Sequence, residues 1–275
     1  MLRTLIFDSG VGGLSISKSL TEQLPSVEQI LLADNAYFPY GEMDEVLLVN
    51  RVTELLIQSA ASFKPDCIVV ACNTVSTVAL EKIRDSISIP IIGVVPAIKP
   101  AAAMSVSKVI GLLATPATIN RPYTAELVKQ FAGDCEVISL GSTRLVEMSE
   151  QQLRGEAINK DELATILQPY ILAAQHKQLD VIVLGCTHFP LMADLLTELL
   201  PSNVELIDSS EAIARQVEMI LQSSLPNKLV IAEQENCSAK ILLNDCYMTA
   251  VEKDLGLSTG LKRYKFRPAK LFQLE

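Results

Sequence analysis

Short, nearly unbroken apolar runs rich in Val and Ile recur along the chain, each followed by a longer stretch in which apolar residues return at helical spacing. The runs are TLIF (4–7), QILLA (29–33), CIVVA (67–71), PIIGV (90–94), VIGLLA (109–114), EVISL (136–140), VIVLG (181–185) and VELI (204–207). A strand apolar on both faces must be covered on both faces, which predicts parallel strands between layers of helices. The helical stretches fall at about 12–23, 43–63, 74–86, 118–132, 160–177, 190–200 and 209–223. This alternation predicts an α/β fold built from doubly wound parallel sheets.

With 275 residues, 49% of them apolar, the chain can bury one large core or two medium ones, and disorder does not fit. Two places read as crossings between domains: GVVPAIKPAAA (93–103), with its prolines and small residues, and ELIDSSEA (205–212). The longest apolar runs, CIVVAC and IPIIGVVPAI, fall far short of a membrane span, and Asp8 and Ser9 interrupt the N-terminus before any signal-peptide core. The expected location is therefore the cytoplasm. A net charge of −9 argues against a general binder of nucleic acid or anionic membrane. The stretch LKRYKFRPAK (261–270) sets Lys262, Arg263, Lys265, Arg267 and Lys270 around Tyr264 and Phe266. Such interleaving can grip single strands, but composition favours a solvated segment with its aromatics tucked inward.

The chemistry is concentrated in strand-to-helix turns. In FDSGVGGLS (7–15) the glycines permit a tight turn and close backbone approach before a helix. Neither the dinucleotide fingerprint nor the phosphate-loop pattern is present. Asp8 would repel an anion, so it is read as holding an ammonium group or assisting a proton transfer; the plainer reading is a helix cap. ACNT (71–74) puts Cys72 where a helix N-terminus favours thiolate. GCTHFPL (185–191) repeats the plan with Cys186, Thr187 and His188, one of two histidines in the chain. The six cysteines, Cys67, Cys72, Cys135, Cys186, Cys237 and Cys246, form no CxxC pair and are expected as free thiols, most of them core residues. No metal-ligand spacing is matched. A single Cys–His nucleophile would leave Cys72 unexplained. Two thiols in matching positions suit epimerisation, one taking a proton from one face of a carbon and the other returning it on the opposite face.

Together, FDSGVGGLS, FPYG (38–41), ACNT, LLATPAT (112–118) and GCTHFPL, in this order across about residues 4–222, resemble the cofactor-independent glutamate racemases of the aspartate/glutamate racemase superfamily. The resemblance implies two α/β domains facing each other with the active site between them. The first would comprise residues 1–95 plus 208–275 and the second, inserted, residues 96–207. It implies interconversion of L- and D-glutamate, supplying D-glutamate for peptidoglycan, with no cofactor and no metal. Cys72 and Cys186 match the acid/base residues, and Asp8 and His188 the groups that assist them. Substrate contacts fall on Asp8, Ser9, Tyr40, Gly41, Asn73, Thr74, Thr118 and Thr187, with Pro39 and Thr115 lining the site. Glu147 matches a family glutamate near the site, although Met148 and Ser149 stand where the family continues with another acid and a glycine. The expected partner is the small substrate, without nucleic acid or membrane; no motif specifies an assembly, and a homodimer is carried as a candidate. The alternatives are an aspartate or hydantoin racemase and a non-catalytic amino-acid binder.

Overall fold

The computed structural model describes residues 2–228, 243–250 and 254–274. Contacts divide the chain into two compact units, Met1–Val94 with Ser210–Glu275, and Val95–Ser209. Among the described residues no helix is long and apolar enough to cross a membrane.

The first unit holds a six-stranded parallel sheet of β1 (Arg3–Asp8), β2 (Glu28–Ala33), β3 (Cys67–Val70), β4 (Ile91–Gly93), β9 (Asp245–Met248) and β10 (Lys270–Leu271), in the order β10-β9-β2-β1-β3-β4. The second holds a four-stranded parallel sheet of β5 (Val109–Ala114), β6 (Glu136–Gly141), β7 (Val181–Leu184) and β8 (Glu205–Ile207), in the order β6-β5-β7-β8. In each sheet the chain moves outward on one side and then crosses back to the other, so the order reverses beside β1 and beside β5. Such a switch point leaves a crevice at the strands' C-terminal ends, where open α/β sheets bind ligands.

The long apolar runs are strands for the anticipated reason: β3 and β7 are buried along their whole length. Several helices depart from expectation. The stretch 74–86 is two helices, Asn73–Val78 and Leu80–Ser86, parted at Ala79. The stretch 118–132 starts at Pro116, pauses, and restarts as Pro122–Phe131, because Arg121 before a proline is extended (φ −77°, ψ 136°). The prolines of 93–103 do not prevent a helix over Ile98–Met104, since Pro100 lies in its first turn. The segment 190–200 opens with a 3-10 turn, Phe189–Met192, before Ala193–Leu199. Helices Arg144–Arg154 and Leu255–Arg263 and strands β9 and β10 were not anticipated. In the basic C-terminal stretch Phe266 is buried, Tyr264 half-buried and the cations exposed, while Arg267 and Lys270 both pair with Asp245 at 3.0 Å.

Gly13 is required by close approach. A Cβ there would stand 2.9 Å from Ile6 Cγ2 and 3.0 Å from Leu31 Cδ1, so its absence lets the helix Leu14–Gln23 begin directly on β1 and β2. The five described cysteines are free thiols, and Cys237 lies outside the described residues. Burial within β3 pushes the Cys67 thiol up to about 12, as suits an inert core residue.

Candidate active site

In the first unit the chemistry gathers at the C-terminal ends of β1, β2 and β3. Asp8, the last residue of β1, is completely buried; its Oδ1 accepts from the Ser9 N–H at 2.7 Å and from the Ser9 hydroxyl at 3.4 Å. Cys72 follows β3 with extended backbone and caps the helix Asn73–Val78, its carbonyl accepting from Ser76 N–H at 2.9 Å. Cys72, Asn73 and Thr74 are all buried. Asn73 Oδ1 has no hydrogen-bond partner among the described residues, an unmet acceptor of the kind that a ligand satisfies.

Tyr40 packs in the same apolar cluster as Cys72, with its ring 6.4 Å from that of Phe7. Its hydroxyl donates to Asp34 Oδ2 at 2.5 Å. Burial, then the Asp34 carboxylate, and to a lesser degree Cys72 raise the Tyr40 phenol well above the ordinary tyrosine value, so it stays neutral. Pro39 beside it is half-buried and Gly41 exposed.

In the second unit β7 delivers Gly185 and then Cys186. A side chain at position 185 would crowd Ala114 Cβ at 3.1 Å and Leu112 Cδ1 at 3.2 Å, so the glycine lets the turn sit tightly on β5. Cys186, Thr187 and His188 are buried. His188 Nδ1 lies 3.9 Å from Cys186 Sγ, and its Nε2 lies 3.1 Å from Glu150 Oε1. Arg154 binds the other oxygen of Glu150 at 3.2 Å. Thiol, imidazole, carboxylate and guanidinium thus stand in series, an arrangement able to move a proton to and from sulfur. At the end of β5, Thr115 caps the short helix Pro116–Ile119, its Oγ1 accepting from Thr118 N–H at 3.3 Å and lying 3.0 Å from Thr118 Oγ1.

Glu147 is not brought to His188. It faces solvent on the helix Arg144–Arg154 and pairs with Arg144 at 2.9 Å, which also holds Glu162 at 2.8 Å. The acid that reaches the histidine is Glu150, one turn further on, which the motif reading passed over. The helix's buried positions Leu145, Val146, Met148, Ser149 and Leu153 carry the signal: they set Glu150 at the border of the buried face and Glu147 outside it. Asp34, Arg51 and Thr249 were also missed, and no local pattern announces them.

The Asp/Glu/Hydantoin racemase family model matches residues 13–217. The glutamate racemase of Vibrio parahaemolyticus is 49% identical over 219 residues, covering 80% of this chain and 79% of that protein. The glutamate racemase of Vibrio campbellii is 42% identical over 273 residues, 99% of this chain and 96% of the relative. Among solved structures, Escherichia coli glutamate racemase in complex with L-glutamate and the activator UDP-MurNAc-ala superimposes with a TM-score of 0.89 at 38% identity, covering 100% of this chain and 99% of that one. Francisella tularensis glutamate racemase in complex with D-glutamate gives a TM-score of 0.73 at 25% identity, covering 100% and 98%. The strand-end thiols, the parallel sheets and these likenesses agree, and the chain belongs to the Asp/Glu/Hydantoin racemase family, as a racemase among the isomerases.

Proposed function

We propose that this racemase interconverts L- and D-glutamate by a two-base mechanism using the thiols of Cys72 and Cys186, without a cofactor, and that it supplies D-glutamate for peptidoglycan in the cytoplasm. The observation that carries the reading is the repeated construction: a fully buried four-residue strand that ends in a turn bearing a buried cysteine, once in each sheet. The relatives named glutamate racemase, and the E. coli and F. tularensis proteins solved with L- and D-glutamate, support glutamate as the substrate.

In the proposed reaction one cysteine, as thiolate, takes the α-proton of glutamate, leaving the electron pair on a carbanion stabilised by the adjacent carboxylate. The other cysteine, as thiol, gives a proton to the opposite face and becomes the thiolate. No electron leaves the substrate, and the reverse direction exchanges the two roles. His188, held by Glu150, accepts the proton that activates Cys186, while Asp8 serves Cys72. Asn73, with its unmet amide oxygen, and Ser9, Thr74, Thr118 and Thr187 are assigned to the substrate's polar groups. Pro39, Tyr40 and Gly41 form a further wall, with Thr115 lining the site. Glu147, paired with Arg144 at the surface, is given no part in the chemistry.

The test is α-proton exchange of L- and D-glutamate in deuterated water, followed by NMR without added cofactor, for wild type, Cys72→Ser and Cys186→Ser. Deuterium uptake with interconversion by wild type, sharply reduced in both variants, is the expected result. Turnover of L-aspartate with none of glutamate would reassign the substrate. Undiminished racemisation by either variant would remove that cysteine from the mechanism.

A further inference from the structure

Asp34 belongs to no motif, yet it sits one residue beyond β2 at the centre of a buried polar network. It is completely buried. Its Oδ2 accepts from the Tyr40 hydroxyl at 2.5 Å and from Arg51 Nε at 3.1 Å, and its Oδ1 accepts from Arg51 NH2 at 2.8 Å and from the Thr249 hydroxyl at 2.6 Å. A carboxylate offers about four lone-pair sites, and here they are filled from within the protein. Asp34 is therefore built to hold its neighbours and is not poised to transfer a proton. Its main-chain N–H donates to the carbonyl of Asp8 at 2.9 Å, adding a rung to the β1–β2 ladder at the residue assigned to assist Cys72.

The network has two ends. At one, Tyr40 commits its only hydroxyl proton to Asp34, which fixes the ring in the cluster that contains Cys72 and fixes the turn 38–41 with it. At the other, the segment after β9 is fastened to residues 34–36. Thr249 Oγ1 accepts from Ala36 N–H at 3.2 Å, Asn35 Oδ1 accepts from Ala250 N–H at 2.9 Å, and Asn35 Nδ2 donates to the Ala250 carbonyl at 3.3 Å. Arg51 is further held over the Tyr37 ring, 4.4 Å from its centroid. Residues beyond the stretch that carries the glutamate-racemase motifs thus reach Tyr40 by hydrogen bonding through the Asp34 carboxylate, beside the packing of Phe272 in the same cluster.

We infer that Asp34, braced by Arg51 and by Thr249 just after β9, is a positioning residue for substrate binding: it holds Tyr40 and the turn 38–41 beside Cys72. The kinetic part of this inference rests on the proposed glutamate racemisation. Because the turn is assigned to substrate contact and not to the migrating proton, losing its anchor weakens ground state and transition state alike, which raises KM and spares kcat. The two enantiomers are equal in free energy, so the change in kcat/KM is the same in both directions.

The experiment uses the full chain as wild type, Tyr40→Phe, Asp34→Asn, the Tyr40→Phe/Asp34→Asn double variant, Thr249→Val and Thr249→Ser. It reads kcat and KM for both enantiomers and backbone hydrogen exchange across residues 35–42. Asp34→Asn is expected to raise KM about tenfold, the scale of one charge-assisted hydrogen bond, with kcat within about twofold. Thr249→Val should raise KM less, and Thr249→Ser, which keeps the hydroxyl, should restore it. Asp34→Asn should add less than about twofold in the Tyr40→Phe background, since it acts through that side chain. Exchange over 35–42 should quicken in Asp34→Asn and Thr249→Val. Additive effects, a loss confined to kcat, or unchanged exchange in Thr249→Val would overturn the inference; the threonine pair decides it if Asp34→Asn does not fold. A wild type inert toward both enantiomers overturns the proposed function instead, and hydrogen exchange then decides the positioning role by itself.

Discussion

Replacing Glu150 with Gln probes the Cys186 half of the proposed mechanism with almost no change of shape. Glu150 Oε1 is 3.1 Å from Nε2 of a histidine only 2% exposed, whose Nδ1 is 3.9 Å from the Cys186 sulfur. Glutamine keeps an oxygen that accepts from Nε2–H, so the neutral imidazole retains its orientation. What is removed is the negative charge that faces the imidazolium once Cys186 has given up its proton. A hydrogen bond to a charged partner exceeds a neutral one by about 1–2 kcal/mol. Arg154, 3.2 Å from the other carboxylate oxygen, already draws on the same charge, which places the loss at the low end. At about 1.4 kcal/mol per decade, kcat should fall roughly five- to tenfold, with KM nearly unchanged. Since both enantiomers must lose kcat/KM equally, the one-sided lesion is visible only in isotope effects. With α-deuterated substrates the primary effect should grow in the direction in which Cys186 removes the deuteron and shrink in the other. A kcat within about twofold of wild type, or isotope effects that move together for L- and D-glutamate, would refute the relay through His188.

Further predictions concern the scaffold. Gly13→Ala places a methyl group within 3.0 Å of Ile6 and Leu31 in a full core, and should cost about 1–3 kcal/mol in denaturant titration. Phe272→Ala removes a ring tilted against Phe63 at 5.3 Å and edge-on to Tyr247; a loss of about 3–5 kcal/mol is expected, read as a lower thermal midpoint. Asp180 feels burial, which pushes its carboxyl up, but the N–H groups of Ser107 and Val106 and the Ser105 hydroxyl outweigh it and hold it below the ordinary value. Its stabilising contribution is therefore complete above the unfolded value of about 3.9 and is lost as pH falls through the lower folded value. Asp180→Asn should destabilise the protein at pH 7, and the gap from wild type should close below pH 4 in acid-denaturation curves.

What could be read from the chain follows from how each signal arises. Strands β1 to β8 lie in apolar runs, and β1, β2, β3, β5 and β7 are buried as such runs require, whereas the edge strands β6 and β8 carry theirs at half-buried and exposed positions. The cysteine turns were legible because chemistry imposes residue types at fixed spacing. β9, DCYM, alternates half-buried and buried positions over only four residues, and β10 has two exposed residues, so neither produces a run. Glu150 escaped because a motif match assigned the acid to Glu147, although both lie on one helix whose buried face distinguishes them. Asp34 and Thr249 are 215 residues apart, and their bond exists only because β9 pairs with β2. No local pattern encodes such a contact.

That pairing also sets an order of events at the ribosome. β9 covers β2 along Ile30–Ala33, and the second unit, Val95–Ser209, must be synthesised between the two strands. At about 5–20 residues per second the nascent chain carries β2 without that neighbour for roughly ten to forty seconds. During that time its backbone N–H and C=O groups are a template for any other extended chain nearby, including a second copy on the same message. Slower initiation or a lower growth temperature should therefore improve soluble yield more than any change to the finished surface, because the hazard ends only when Asp245–Met248 emerges and takes that edge out of reach.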